Sequence, residues 1–284
     1  MQGVVRSPKE GKVGLDCAAA NFLCAAKMSG VDFSQTLMIG RQAYISQTKT
    51  IDKIGNIVGV DCQRFKPYES SGFVEWFFEL LGAKEVSSLD GCDFEGATYV
   101  CDLNHPTPAH LSNRFSTVFD GGTMEHVFNI PQLLKNCMGM VRIGGHYLVL
   151  TVANNFMGHG FWQFSPDLFF RILSPDNGYE MKAVLLHEVL PNAPWYIVRD
   201  PLEVRRVVEL INNTPTYVFA IAKRLALKEI LAKPPLQSDY VETWAKKQYT
   251  LGRGPWGDWK SDAYSFQSEC YRKIEEDNFL SGRF

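Results

Sequence analysis

Three aspartates, Asp90, Asp102 and Asp120, each stand at the end of a segment with strand character, and Gly40 ends another such segment ahead of them. If those segments are parallel strands, the four residues share the carboxyl edge of one sheet, where the ligands of open α/β sheets bind. A glycine there lets main chain approach a ligand, and a carboxylate after the second strand has lone pairs for both hydroxyls of a ribose. An aspartate after the third strand can accept from an exocyclic adenine amine. Asp120-Gly121-Gly122 would offer a carboxylate and carbonyls to the cationic, amine-bearing end of a ligand. One such aspartate alone is commonly a cap or turn former. Three in successive units behind Gly40 point to a nucleotide-type crevice.

A second group lies in the segment from Ala153 to Pro166, which mixes amides able to hold a ligand (Asn154, Asn155, Gln163) with aromatics able to cover it (Phe156, Phe161, Trp162, Phe164). His159, between Gly158 and Gly160, is the best candidate base, because imidazole titrates near neutral pH and its glycine neighbours let the loop approach a substrate. A structural histidine bonded to backbone is the competing reading. His126 begins a helix and suits an orienting or packing role, His146 falls inside a strand, and Ser165-Pro166 reads as an N-cap followed by a first-turn proline.

The elements that must position these groups follow from periodicity. Leu15 to Met28 carries apolar residues at helical spacing, with Asp16 near its start and Ser29-Gly30 as its stop. Thr36 to Gly40 reads as the first strand, Ser46 to Pro67 as a variable stretch, and Glu69 to Leu81 as a helix. Strands are expected at Glu85–Leu89, Ala97–Cys101, Thr117–Phe119, His146–Val152, Ala183–Val189 and Tyr217–Lys223, with helices at Glu125–Val141 and Pro166–Leu173. Alternating strands and helices predict a parallel sheet covered on both faces.

Composition narrows the function. The 29 basic and 31 acidic residues give no field that would gather nucleic acid or an anionic membrane by charge alone, so both partners are disfavoured. No apolar run reaches the roughly 18–20 residues of a membrane span and no signal-peptide pattern opens the chain, which predicts a cytoplasmic protein. The seven cysteines are scattered and form no C-x-x-C pair, and the six histidines form no helical ligand pair, so no metal site is expected.

Phe119 to Val127 (FDGGTMEHV) and Met140 to Leu148 (MVRIGGHYL) resemble the class I S-adenosylmethionine-dependent methyltransferases: the first their fourth-strand segment, the second their turn into the fifth strand. The resemblance covers roughly Gln35 to Lys223. It implies an α/β Rossmann-like three-layer sandwich with a mostly parallel seven-stranded sheet and an antiparallel last strand. It also implies a domain at 35–227 that binds S-adenosyl-L-methionine, between an N-terminal helical extension (1–34) and an aromatic-rich C-terminal extension (228–284). Gly40, Arg41, Gln42, Asp90, Asp102, Leu103, Asp120, Gly121 and Gly122 would hold the cofactor, Asp93 competing with Asp90. Asn154, Asn155, Trp162 and Gln163 would hold a small-molecule or glycan acceptor, methylated on oxygen or nitrogen with His159 and His126 as catalytic candidates.

The chain departs from the family pattern at its first loop, where Ile39-Gly40-Arg41-Gln42 replaces G-x-G-x-G and Asp90 follows Gly40 by far more than the usual ~20 residues. An insertion between Ala43 and Pro67 accounts for the spacing. A non-catalytic methyltransferase-like assembly protein is therefore the alternative. A nicotinamide-dependent oxidoreductase ranks behind it, for want of the dinucleotide glycines. The aromatics Trp244, Tyr249, Trp256, Trp259 and Tyr264 suggest a tail that wraps the domain or joins copies into a homo-oligomer.

Overall fold

The computed structural model describes residues 14–45, 48–63, 72–205, 207–246, 265–266 and 270–284. Tyr249, Trp256, Trp259 and Tyr264 of the tail lie outside these residues, as do parts of the variable stretch between Ser46 and Pro67.

The main sheet has nine strands: β1 (Gln35–Ile39), β2 (Glu85–Asp90), β3 (Tyr99–Val100), β4 (Phe115–Gly121), β5 (Val141–Asn154), β6 (Tyr179–Glu188), β7 (Trp195–Val198), β8 (Thr216–Arg224) and β9 (Tyr271–Ile274). Their spatial order is β9-β7-β6-β8-β5-β4-β1-β2-β3. β1 through β5 are mutually parallel, and β8 runs antiparallel between β5 and β6. The 3-2-1-4-5 half is that of doubly wound sheets, and chain order reverses at β1 and β4, the place where such folds bind ligands. This is the Rossmann-like architecture expected from the sequence. The count is a correction, because β7 and β9 add two antiparallel strands to the seven anticipated.

Two apolar layers sandwich the sheet because its strands alternate between them at the period of two that pleating imposes. Met38, Phe119, Leu148, Leu150, Phe219 and Ile221 face one side; Leu37, Ile39, Val118, Tyr147, Val149 and Val218 face the other. The first layer is closed by α1 (Cys17–Met28), α2 (Thr48–Val58), α3 (Glu75–Leu80) and, from the chain end, α8 (Glu276–Leu280). The second is closed by α4 (Ile130–Met140) and α5 (Pro166–Ile172); along the chain α6 (Pro201–Val204) and α7 (Ser238–Lys246) follow β7 and β8 respectively. Asp16 caps α1 by accepting from Ala19 N at 2.8 Å. The fully buried Phe22 of α1 packs on Phe219 with ring centroids 4.9 Å apart. Both sequence ends contribute to this layer, since Phe279 of α8 stacks on Trp195 of β7.

The strand expected at Ala97–Cys101 keeps only β3 (Tyr99–Val100), and two helices are also shorter than periodicity predicts. The expected helix from Glu125 to Val141 is split into a single 3-10 turn at Met124–His126 and α4, because Asn129 caps α4 through Gln132 N and Pro131 occupies its first turn. Phe128 is thereby left outside any helix and 70% exposed. Of the helix expected over Glu69–Leu81, residues 69–71 lie outside the described residues; the described helix begins at Glu75, after Gly72 (φ +90°) and a bridge between Phe73 and Ala43 that keeps the chain extended. No helix among the described residues is long and apolar enough to cross a membrane.

Candidate functional site

Register aligns the strand ends at the switch point: Ile39 pairs with Leu89 on one side and Asp120 on the other. Gly40 thus sits between the ends of β2 and β4. Its φ is +74°, its amide donates to Leu89 O at 2.8 Å, and a Cβ there would lie 2.7 Å from Thr123 Oγ1. Only glycine suits this close turn. Thr123 Oγ1 in turn donates to Ile39 O at 2.8 Å, tying the loop after β4 to the end of β1.

Arg41 and Gln42 diverge from the turn. The Arg41 amide donates to Asp90 Oδ2 at 3.3 Å, while its guanidinium points away to Glu75 (2.7 Å) and the carbonyls of Glu95 (2.6 Å) and Gly96 (3.2 Å), over the ring of Phe73. Gln42 is buried, its Nε2 3.3 Å from Ile39 O and its Cδ 3.3 Å from the position a Cβ would take at Gly121. A side-chain amide thus fills space behind the turn that lacks the extra glycines.

The acidic residues differ in what they offer. The half-buried carboxylate of Asp90 accepts from Gly91 N at 2.7 Å as well as from Arg41 N, and lone pairs remain on it. Asp93 is exposed. Asp102 accepts at Oδ1 from the amide (2.9 Å) and Nδ2 (2.8 Å) of Asn104, bonds that hold its carboxyl below the usual range, and Leu103 beside it is buried. Asp120 is fully buried and turned inward: Oδ1 accepts from Thr123 N at 2.9 Å and Met124 N at 3.3 Å, and Oδ2 has no hydrogen-bond partner among the described residues. Burial, and then the charge of Glu125, raises it to about 7. Its carboxylate therefore shapes the loop from beneath, while the buried Gly121 ends β4 and Gly122 turns the main chain at φ +98°.

The fold brings a second cluster together from distant sequence. Phe161 N and Trp162 N both donate to Glu125 O, at 2.7 and 3.3 Å, and Trp162 Nε1 donates to Val127 O at 3.1 Å. Gly160 (φ +71°) makes this approach possible, since a Cβ there would lie 2.6 Å from Glu125 O. The loop after β5 is so held over the 3-10 turn after β4. His159 Nε2 then stands 3.6 Å from Glu125 Oε1, and the rings of His126 and His159 are 5.0 Å apart. The Glu125 carboxylate, 2% exposed, is fixed from behind by Thr151 Oγ1 at 2.8 Å, and it raises the half-exposed His159 above the ordinary imidazole value. Glu125, Phe128 and Asn129 were not singled out from sequence. The Met-Glu-His-Val-Phe-Asn-Ile-Pro string, with a cap and a proline interrupting a helical pattern, is the signal that could have found them.

Beside this cluster opens a cleft of about 430 Å³ lined by Phe128, Asn129, Ile130, Pro131, Trp162 and Phe164. Phe128 and Trp162 stand 6.2 Å apart, tilted 45°. Asn129 hydrogen-bonds Asn104 through its amide (2.9 Å) and Nδ2 (3.2 Å), which joins the cleft to the Asp102 loop. Trp162 lines the cleft; the three amides expected to hold substrate do not line it and hydrogen-bond within the protein. Asn154 and Asn155 donate to Asn212 Oδ1 at 2.8 and 2.7 Å, and Gln163 Oε1 accepts from Phe156 N at 2.9 Å, so all three brace the loop.

No protein-family model and no curated protein matches this sequence. Solved structures with a similar fold include the 1,6-didemethyltoxoflavin-N1-methyltransferase of Burkholderia thailandensis, bound to 1,6-didemethyltoxoflavin and S-adenosylhomocysteine. It is 12% identical over 73% of this chain and 79% of its own, with a TM-score of 0.37. The branched-chain polyamine synthase of Thermus thermophilus, bound to N4-aminopropylspermidine and 5'-methylthioadenosine, is 14% identical over 78% of this chain and 60% of its own (TM-score 0.40). The YcgJ protein of Bacillus subtilis is 8% identical over 73% and 99% (TM-score 0.38). These likenesses concern the fold.

Proposed function

We propose that the protein is a cytoplasmic S-adenosylmethionine-dependent methyltransferase whose acceptor, a small molecule or glycan bearing a reactive oxygen or nitrogen, lies in the aromatic cleft. The observation that carries this reading is the pinning of the loop after β5 onto the turn after β4, which sets His159 and the cleft beside the carboxyl edge of the sheet. The crevice residues fit the cofactor in three respects. Gly40 keeps the turn free of a side chain, Asp90 retains acceptor capacity for ribose hydroxyls, and Asp102 with Leu103 offers an acidic group beside an apolar contact for a purine. Gly121 and Gly122 would bring main chain to the amino-acid end of the cofactor. When bound, the cofactor supplies an electrophilic methyl group.

The protein's own residues would do the rest. Phe128, Trp162 and Phe164 exclude water and align the acceptor, a contribution that in-line displacement demands. For a hydroxyl acceptor, His159 takes the proton at Nδ1, since Nε2 is turned to Glu125, and the Glu125 carboxylate stabilises the imidazolium that forms. His126 flanks the pair and orients it.

One observation favours the second reading, a methyltransferase-like assembly protein without turnover: Gln42 fills the space behind the first turn. The exposed Trp244 and Tyr240 of α7 (Ser238–Lys246) would then serve contact with another copy. Calorimetry with S-adenosylhomocysteine separates the two. Saturable one-site binding supports the enzyme, and absence of heat at millimolar ligand supports the assembly role.

A further inference from the structure

We propose that Glu125, His126 and His159 form a binding site for one divalent transition-metal ion, zinc or iron(II), built from the same two loops as the aromatic cleft. Their candidate ligand atoms all lie within 4.8 Å of one another. Two ligands held about 2.1 Å from one ion at a tetrahedral angle stand about 3.4 Å apart. The His159 Nε2 to Glu125 Oε1 separation of 3.6 Å is near that edge length and beyond the range of a good direct hydrogen bond. His126 is exposed, so its ring can rotate to complete the third contact.

The site is built rather than incidental. Glu125 is almost completely buried, and Thr151 Oγ1 binds its second oxygen at 2.8 Å, the kind of outer support that fixes a metal-binding carboxylate. The main-chain bonds from Phe161 and Trp162 to Glu125 O hold His159 over it without help from the side chains themselves. Two imidazoles and one carboxylate select zinc or iron(II) over magnesium or calcium, which prefer all-oxygen shells. Three protein ligands leave at least one position free, and the cleft lined by Phe128 and Trp162 is formed by the same two loops.

The catalytic meaning rests on the proposed methyltransferase reading; the binding does not. In the metal-loaded form His159 is a ligand, and an acceptor hydroxyl bound at the free position loses its proton to bulk water at lower pH because the ion stabilises the alkoxide. In the metal-free form His159 takes that proton itself.

The test uses the full chain, stripped with chelator and titrated with Co²⁺ alone, following visible absorption. One equivalent should develop the intense bands of a four- or five-coordinate site. His126→Gln and His159→Gln, checked for an unchanged apo melting curve, should each weaken binding at least tenfold, and Zn²⁺ should displace the cobalt. A spectrum that stays that of the hydrated ion overturns the proposal. So does a saturating signal that survives in the double variant, or one dominated by sulfur charge-transfer bands, which would place the ion on cysteine. Calorimetry with S-adenosylhomocysteine on the same stripped protein reports the methyltransferase reading separately, so either can fail while the other stands.

Discussion

The amide of Phe161 donates to the carbonyl of Glu125 at 2.7 Å, the shortest of three hydrogen bonds that fix the loop following β5 to the turn following β4. Everything proposed for the acceptor side depends on that contact, and Gly160 permits it. Gly160→Ala would place a Cβ 2.6 Å from Glu125 O at a φ of +71° and should push the loop away. We expect a loss of about 1–3 kcal/mol in stability from the strained backbone and a fall in acceptor turnover with cofactor affinity intact. Urea melts and calorimetry check both parts; a variant with native turnover would show that the contact is dispensable.

Asp90 is expected to hold the ribose. Its replacement by alanine removes two hydrogen bonds to a charged acceptor, each worth about 1.5–3 kcal/mol, and should weaken S-adenosylhomocysteine at least about tenfold. Asp93→Ala should change little. The opposite ranking in calorimetry would move the assignment to Asp93.

Trp162, which lines the cleft, is proposed to contact the acceptor. Trp162→Ala opens one wall of the cleft and removes the indole bond to Val127 O at 3.1 Å, so kinetics in the acceptor should deteriorate while cofactor binding stays near native. Equal damage to both would assign the loop to the cofactor.

His159 is expected to act as base for a hydroxyl acceptor in the metal-free form. His159→Gln should lower turnover about 10²–10⁴-fold. Because Glu125 raises His159, and the base works only when deprotonated, activity of the metal-free protein should rise with pH along a limb displaced upward from that of an ordinary imidazole. Glu125→Gln should move that limb to lower pH. A limb unmoved by either change would remove His159 from the proton transfer.

Asp120 links pH to stability. Burial raises it to about 7 in the folded state, whereas an unfolded aspartate titrates near about 4, so between those values the folded chain holds an extra proton. Stability from this group is therefore lost as pH rises from about 4 through about 7 and is flat above. Asp120→Asn should remove that component, read as the difference from wild type in urea midpoint at each pH. His146 and His187, which burial lowers to about 4, slope the other way in the same window and remain in both proteins. An identical pH slope in the variant would show that Asp120 is ionised in the fold throughout.

Local pattern alone identified the strands of the parallel half and the capped helix α1, because alternation and N-cap chemistry act over a few residues. The same locality placed Gly40, Asp90 and Gly121 together, since each ends or directly follows a strand and parallel register does the rest. Tertiary structure decided what local pattern could not encode. It turned Asp120 inward, a matter of which face of β4 the side chain leaves by. It gave Asn154, Asn155 and Gln163 bracing partners that compete with any ligand. It joined β9 and α8 from the chain end to β7, a pairing across long sequence separation that periodicity does not report. It also assembled Glu125, His126 and His159, residues whose spacing fits no helical ligand pair, because main-chain hydrogen bonds between two loops supply a proximity that side-chain order along the chain does not specify.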